Sequence, residues 1–144
     1  MTESTETIES AESMAETSPG LPVRAFNCRQ CGSPIFFRNG TCLTCDTPLG
    51  YLPVVARLLP LAPTDEPDIW VEWQTEAPRY RRCANLQTPA ACNWLLPVDE
   101  FDAHAGLCRA CRLNRTIPDL NDPKHPDNGE LWARLELAKR RLVS

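Results

Sequence analysis

Four cysteines in the first third of the chain have a spacing that suits metal binding. They form two Cys-x-x-Cys pairs, Cys28/Cys31 and Cys42/Cys45, with ten residues between the pairs. A Cys-x-x-Cys turn directs two thiolates towards one point, and two facing turns supply the four ligands of a tetrahedral Zn²⁺ ion. The alternatives for the same residues are reduced thiols or disulfide bonds. We predict a four-cysteine zinc site.

The residues between the two pairs predict a short β-hairpin. Gly32 frees the backbone after the first pair, residues 35–38 have strand-forming side chains, and Asn39-Gly40 is a strong two-residue hairpin signal. Such a hairpin returns the second cysteine pair to the side of the first. Spacing and turn residues together are typical of a zinc ribbon, which we place within residues 23–59.

A second set of four cysteines lies in the C-terminal half of the chain, at Cys83, Cys92, Cys108 and Cys111. Only the last two form a Cys-x-x-Cys pair, because eight residues separate Cys83 from Cys92. Thr88-Pro89 supplies the turn that this interval needs. His104 is a competing ligand, but four cysteines complete a structural site without it. We therefore predict a second zinc site and two structural zinc ions.

Length and composition fit two small modules better than one ordinary domain. The chain has 144 residues with 14 Pro and 8 Cys, and its large apolar residues come in short bursts, so metal sites must supplement a thin core. Residues 54–59 are either a short strand or a helical turn, and we favour the strand. Prolines and acidic residues at 60–68 predict a linker, whereas the alternating pattern at 69–73 predicts a strand. The predicted fold is a small α+β metal-stabilised protein: a zinc ribbon at 23–59, the linker at 60–68 and a second module at 69–144.

The first 22 residues predict a disordered acidic tail. They contain five glutamates, no lysine or arginine and few apolar side chains. The formal net charge of the chain is −4, so the charge of the remainder is nearly balanced. The strong positive charge of a general nucleic-acid binder is therefore missing.

The sequence also bears on location. It contains no basic and apolar stretch of the secretory type at its N-terminus and no apolar run long enough to span a membrane. We therefore expect a cytoplasmic protein with no membrane partner. In a reducing cytoplasm, Cys-x-x-Cys pairs serve as metal ligands far more often than as disulfides.

The last element is predicted to be a helix from about residue 128 to residue 143. Asp127 or Asn128 caps its start, and i,i+4 ion pairs are expected for Glu130/Arg134 and Glu136/Arg140. Apolar side chains recur on one face, and we call them the leucine stripe: Leu131, Leu135, Ala138 and Leu142. The stripe either covers the tryptophans at 70, 73 and 94 or binds a partner, which is a second copy or a separately encoded domain.

The second half of the chain resembles a known bacterial family. The strings Cys92-Asn93-Trp94-Leu95-Leu96-Pro97 and Arg112-Leu113-Asn114-Arg115-Thr116-Ile117-Pro118-Asp119-Leu120 are similar to the N-terminal double zinc-ribbon region of the bacterial zinc-binding metallopeptidases. With the first ribbon and the final helix, the similarity covers roughly residues 25–143. In that family a peptidase-like domain with a His-Glu-x-x-His helix follows, and the 144 residues do not include it. The resemblance implies eight cysteine ligands with a structural role.

Catalysis is not expected of this chain. A zincin site needs two histidines one helical turn apart with a glutamate between them, whereas His104 and His125 are far apart and neither is followed by Glu. A site closed by four cysteines leaves no position for water or substrate. A dithiol redox function lacks the required strand and helix context.

Two binding functions remain open. We expect a structural or protein-interaction zinc module that contacts its partner through the C-terminal helix. The alternative is a nucleic-acid-binding zinc ribbon, because residues 79–82 form a basic cluster with one aromatic side chain, and Arg109, Arg112 and Arg115 recur beside a cysteine pair. Those arginines could equally offset the negative charge of a zinc tetrathiolate.

Overall fold

Short antiparallel strands build most of the fold in the computed structural model, which describes residues 25–144. The strands β1 (Ala25–Asn27) and β2 (Pro34–Phe36) form a small hairpin that carries the first cysteine pair. Five further strands form one antiparallel sheet in chain order: β3 (Leu49–Leu52), β4 (Arg57–Pro63), β5 (Trp70–Glu72), β6 (Arg79–Arg82) and β7 (Leu95–Pro97). The acidic tail predicted at 1–22 lies outside the described residues.

The helices lie in the second half of the described chain. A short helix α1 (Val98–Phe101) follows β7, and the long helix α2 (Asn128–Val143) ends the chain. Single 3₁₀ turns occupy Ala84–Gln87, Asp102–His104 and Cys111–Leu113. The predicted small α+β fold is confirmed. No helix among residues 25–144 is long and apolar enough to cross a membrane.

The first part of the segment predicted as a proline-rich linker, residues 60–68, is a strand in the structure. Strand β4 runs to Pro63, so residues 60–63 pair with neighbouring strands and only residues 64–68 remain a loop. Pro60 fits in the strand because proline lacks only the N–H group, and its carbonyl still accepts a hydrogen bond from Trp73 N at 2.8 Å. The strand favoured at 54–59 is displaced accordingly, since residues 53–56 form a turn. One sheet therefore crosses the boundary between the predicted ribbon and the second module.

The two cysteine sets share one hydrophobic core. That core contains buried cysteines of both sets together with Phe37, Tyr51 and Trp94. The ring of Tyr51 lies 4.8 Å from Phe37 and 5.2 Å from Trp94 between centroids. A β-carbon on Gly50 would lie 2.4 Å from Leu95 Cδ2, so glycine is required where β3 approaches β7. The two predicted modules are packed against each other through aromatic side chains.

Asn93 joins the ribbon hairpin to the second cysteine set. It is fully buried, and its side-chain amide donates hydrogen bonds to Phe37 O at 2.9 Å and to Asn39 O at 2.8 Å. The backbone carbonyl of Asn93 accepts a hydrogen bond from Tyr51 N at 2.8 Å. Because Asn93 directly follows Cys92, these bonds tie a metal-ligand loop to the turn of the hairpin.

Helix α2 begins and ends where the sequence predicts, and its orientation decides between the two alternatives given for the leucine stripe. Leu131, Leu135 and Leu142 are 46%, 69% and 82% exposed, whereas Trp132, Glu136 and Arg140 are the buried residues. The predicted pair Glu130/Arg134 forms at 2.6 Å, but Glu136 pairs with Lys139 instead of Arg140. Asp127 occupies the N-cap position without a side-chain cap. The leucine stripe therefore does not cover the tryptophans.

We predict that Asn93→Asp destabilises the whole described fold. The substitution keeps the side-chain volume but removes the two N–H donors and places a carboxylate beside two carbonyl oxygens. We expect a loss of about 2 kcal/mol or more in the free energy of unfolding, measured by urea denaturation with zinc present. Asn121→Asp, on an exposed loop, is the control and should change stability little. Equal stability of the two variants would contradict the proposed role of Asn93.

Candidate metal centres

The structure brings the first four predicted ligands together. The Sγ atoms of Cys28, Cys31, Cys42 and Cys45 all lie within 4.8 Å of one another. Two of the distances are 3.8 Å, from Cys28 to Cys45, and 3.6 Å, from Cys31 to Cys42. We call this group the first cluster.

The two turns of the first cluster have the same backbone pattern. Cys28 N donates to Ser33 O and Gly32 N donates to Cys28 O, at 2.8 and 2.7 Å. Cys42 N donates to Thr47 O and Asp46 N donates to Cys42 O, at 2.9 and 2.8 Å. The fourth residue after the first cysteine has a positive φ in both turns, 81° at Gly32 and 63° at Asp46. Glycine and aspartate tolerate this left-handed backbone better than most residues.

The second set of predicted ligands also converges. The Sγ atoms of Cys83, Cys92, Cys108 and Cys111 lie within 4.8 Å of one another, and Cys92 and Cys108 are 3.6 Å apart. We call this group the second cluster. The wide interval between its first two members is folded by the 3₁₀ turn at Ala84–Gln87 and by a turn in which Ala91 N donates to Thr88 O. The turn predicted at Thr88-Pro89 is confirmed, and His104 is not a member of the cluster.

These distances fit zinc and exclude disulfides. Four sulfur atoms at about 2.3 Å from a tetrahedral Zn²⁺ ion lie about 3.8 Å from one another, which agrees with the observed 3.6–3.8 Å contacts. A disulfide requires about 2.05 Å, and all eight cysteines are free. Backbone amides also point at sulfur, since Cys108 N donates to Cys83 Sγ and Cys111 N to Cys108 Sγ. The eight residues form two sites for two structural zinc ions.

The two clusters differ in exposure. All four cysteines of the second cluster are buried, whereas Cys31 is exposed and Cys45 is half-buried in the first cluster. Hydrogen bonds from the Ser33 hydroxyl and amide lower the pKa of Cys31 to about 6, and those of Thr47 lower the pKa of Cys45. Burial raises the pKa of Cys28 to about 11. Cys31 and Cys45 therefore become thiolates more readily than Cys28.

In the second cluster, hydrogen bonds among the four thiols are the main cause of the shifts in their pKa values. Hydrogen bonds with Cys108 and Cys111 raise the pKa of Cys92, while hydrogen bonds with Cys108 and Cys83 lower the pKa of Cys111. Protons are thus shared unequally when four thiols are this close. A divalent cation relieves the conflict, because it stabilises all four thiolates at once and releases their protons.

Helix α2 is anchored beside the second cluster by polar contacts. Buried Glu136 accepts hydrogen bonds from Asn114 and from Lys139, and Arg140 donates to Ala90 O at 3.1 Å. Arg109, within the Cys108–Cys111 pair, donates to Val143 O at the helix end. The helix therefore contacts both loops that carry ligands of the second cluster.

The hydroxyl groups that contact the first cluster were not predicted from the sequence. Thr47 Oγ1 lies 3.0 Å from Cys45 Sγ and 2.7 Å from Gln30 Oε1, and Ser33 occupies the matching position in the other turn. Both turns read Cys-x-x-Cys-x-Ser/Thr. That repeated hydroxyl residue was the available signal.

Comparison with known proteins agrees with this geometry. Residues 25–122 match a zinc-ribbon domain. The chain belongs to this zinc-ribbon family. Proteins described only as uncharacterized, from Mycobacterium bovis and two strains of Mycobacterium tuberculosis, are 36% identical over 122 residues. The match covers 85% of the zinc-ribbon protein and 30% of each relative, so the chain spans less than a third of the relatives' length. No solved structure matches it, and its resemblance to metallopeptidases stays a prediction.

The difference in exposure predicts an order of zinc loss. A chelator in excess should remove one zinc from the zinc-ribbon protein in a fast phase and the second in a clearly slower phase, because solvent reaches Cys31 and Cys45 but not the second cluster. Alkylation with iodoacetamide after the fast phase, followed by mass spectrometry, should label Cys28–Cys45 peptides before Cys83–Cys111 peptides. Release of both ions in one phase, or labelling of the second cluster first, would show that exposure does not control the order.

Proposed function

We propose that this zinc-ribbon protein is a structural, non-catalytic module that binds another protein through helix α2. The observation that supports the proposal is the exposure of the leucine stripe on a helix that is fixed to the second cluster by its polar face. Clusters of exposed apolar side chains on soluble proteins mark interaction sites. Zinc serves here to hold the helix and the loops beneath it in place.

The spacing of the leucine stripe suits a partner helix. Leu131, Leu135, Ala138 and Leu142 are separated by four, three and four residues, which is the a/d spacing of a coiled-coil seam. All four side chains are exposed in the structure of residues 25–144. About three helical turns of seam contribute little affinity alone, so the partner is expected to extend beyond α2.

Charges beside the stripe indicate the chemistry of the partner. Arg134 and Arg141 occupy positions that flank the seam, where oppositely charged residues of a partner helix are favoured. Lys139 also flanks it, but its charge is already paired with Glu136. Glu130 partly neutralises Arg134 within the helix, while Arg141 is exposed. A second copy of α2 would bring like charges together. We therefore propose an amphipathic partner helix with an apolar seam and acidic flanks.

The length of the relatives supports a partner of this kind. The aligned region is only 30% of each mycobacterial relative, so in those proteins additional polypeptide accompanies the part that resembles this chain. An apolar helix face beside that region would have a surface to contact within the same molecule. The leucine stripe of α2 would contact an equivalent surface.

The absence of catalysis is part of the proposal. Each cluster supplies four sulfur ligands, which completes a tetrahedral zinc and leaves no position for a reacting water. His104 belongs to neither cluster, and His125 contacts Asp122 on an exposed loop. We expect purified protein with two bound zinc ions to show no peptidase activity.

Nucleic-acid binding has weaker support. Of the 15 basic and 19 acidic residues in the chain, Arg24 and five glutamates precede residue 25, so residues 25–144 carry 14 of each. Arg79 pairs with Glu66 and Arg109 contacts the end of α2, which removes two arginines from the predicted basic sets. A mobility-shift titration across salt concentrations tests the alternative, because phosphate contacts give a steep salt dependence.

A designed peptide tests the partner surface. We expect a four-heptad peptide with leucine at a and d and glutamate at e and g to bind the protein at least tenfold more tightly than the same peptide with lysine at e and g. Isothermal titration calorimetry gives both dissociation constants. Leu135→Glu and Leu142→Glu should abolish binding of the acidic peptide without loss of zinc, since both side chains are exposed.

Matched controls for these variants lie elsewhere on the surface. Leu43 and Val54 are 84% and 83% exposed, so Leu43→Glu and Val54→Glu add the same charge without touching α2. They should leave peptide binding unchanged. Equal binding of the acidic and basic peptides, or equal effects of the control and stripe variants, would overturn the proposed partner surface.

A further inference from the structure

A cavity of about 320 Å³ lies beside strand β6, and none of its lining residues belongs to the leucine stripe. Its lining includes Arg81, Arg82, Trp70 and Phe101, with Asp68 and Gln87 also contributing polar groups. The zinc clusters and the proposed partner helix leave the cavity without an assigned role. We call it the arginine cavity.

Aromatic rings stack against the guanidinium groups of the two arginines that line the cavity. The guanidinium carbon of Arg82 lies 4.4 Å from the centroid of the Trp70 ring, and that of Arg81 lies 4.1 Å from the centroid of Phe101. Trp70 and Tyr80 are direct partners across β5 and β6, so Arg82 is the diagonal neighbour of Trp70 on the same face. Stacking occupies the flat faces of the guanidinium groups and leaves their N–H edges directed elsewhere.

The N–H edges of these two arginines have no acceptors among residues 25–144. Three other arginines of the sheet and ribbon have carboxylate partners: Arg29 and Arg57 contact Glu72, and Arg79 contacts Glu66. Arg81 and Arg82 are half-buried, and Asp68 acts on Arg82 only at longer range, without an ion pair. Half-buried guanidinium groups that are fixed in orientation and lack acceptors form a site ready to bind an anion.

The charge of the lining selects the kind of anion. Two arginines and one aspartate give a net charge of about +1, and Cys83, a ligand of the second cluster, also lines the cavity. A dianion such as phosphate would be repelled by the Asp68 carboxylate and the nearby thiolate. A single carboxylate matches the net charge of the lining and can form a bidentate pair with a guanidinium edge. The Gln87 side chain can donate a hydrogen bond to the backbone of a peptide that carries that carboxylate, or accept one from it.

We propose that the arginine cavity binds a glutamate or aspartate carboxylate of an acidic peptide segment. Arg81 and Arg82 supply the hydrogen-bond donors, and Phe101 and Trp70 fix their orientation. The segment has two possible sources with the same chemistry. One is a partner protein, and the other is the chain itself, whose first 20 residues contain five glutamates and no lysine or arginine.

The test is an NMR titration of the full-length, zinc-loaded protein. The probes are an acetylated and amidated tri-glutamate peptide, the equivalent tri-glutamine peptide and inorganic phosphate, at low ionic strength. We expect the tri-glutamate peptide to shift the Nε–Hε signals of Arg81 and Arg82 and the indole signal of Trp70, with tri-glutamine causing no shift.

A second protein, in which the five glutamates at 3, 6, 9, 12 and 16 are replaced by glutamine, distinguishes the two sources of the acidic segment. Tighter peptide binding to that protein identifies the chain's own segment as the occupant, and equal binding identifies a partner.

Substitutions in the cavity provide the controls. Arg82→Gln should weaken tri-glutamate binding at least tenfold, and Arg82→Lys should weaken it to a smaller extent because the charge remains while the planar fork is lost. Arg112→Gln, at an exposed arginine, should leave binding unchanged. Two zinc ions per chain in each variant show that the fold is retained, and Arg81→Gln replaces Arg82→Gln if the latter loses zinc. No shift in either full-length protein, equal effects at residues 82 and 112, or tighter binding of phosphate than of the peptide would overturn the proposal.

Discussion

The repulsion among closely packed thiolates is the constraint on which the rest of the structure depends. Each cluster holds four sulfur atoms within 4.8 Å of one another, and such a group is stable with all its protons removed only around a cation. The elements that carry the sulfurs are short, since β1 and β2 have three residues each and isolated hairpins of that size are not stable in water. Zinc coordination therefore replaces the extended sheet or helix packing that fixes loops in larger domains.

The two metal centres are parts of one folding unit. Trp94 and Asn93 directly follow Cys92 of the second cluster, yet they pack and hydrogen-bond against Tyr51 and Phe37 of the ribbon. The β3–β7 approach at Gly50 continues the same contact. Loss of one zinc should therefore lower the stability of the other cluster through this core, while release of the buried ion stays the slower step. Strand β4 adds a covalent and hydrogen-bonded connection where an independent linker would have left the halves free to move.

Local chemistry was predictable from the sequence, whereas distant polar contacts were not. The spacing of the cysteines, the Thr88-Pro89 turn and the bounds of α2 depend on neighbouring residues, and the structure confirms them. The strand at residues 60–63 was missed because proline signals a loop, although Pro60 loses only a donor there and its carbonyl still bonds. The sequence left the buried face of α2 open, because an apolar stripe can either enter the core or bind a partner. Its packing is decided by acceptors and donors at Ala90 and Asn114, far away in the sequence.

The orientation of α2 has an energetic consequence for function. Burial of Glu136 and Arg140 requires partners for both charges, and Glu136 has them in Asn114 and Lys139. Arg140 has one acceptor at Ala90, while its Nε and Nη1 have none among the described residues. The opposite face exposes three leucines that could have stabilised a core by about 1.5–3 kcal/mol each. A helix that buries charge and exposes leucine is poorly optimised for the stability of the isolated chain. It is well suited to presenting an apolar seam at a fixed position, because the polar contacts specify which face is turned outwards.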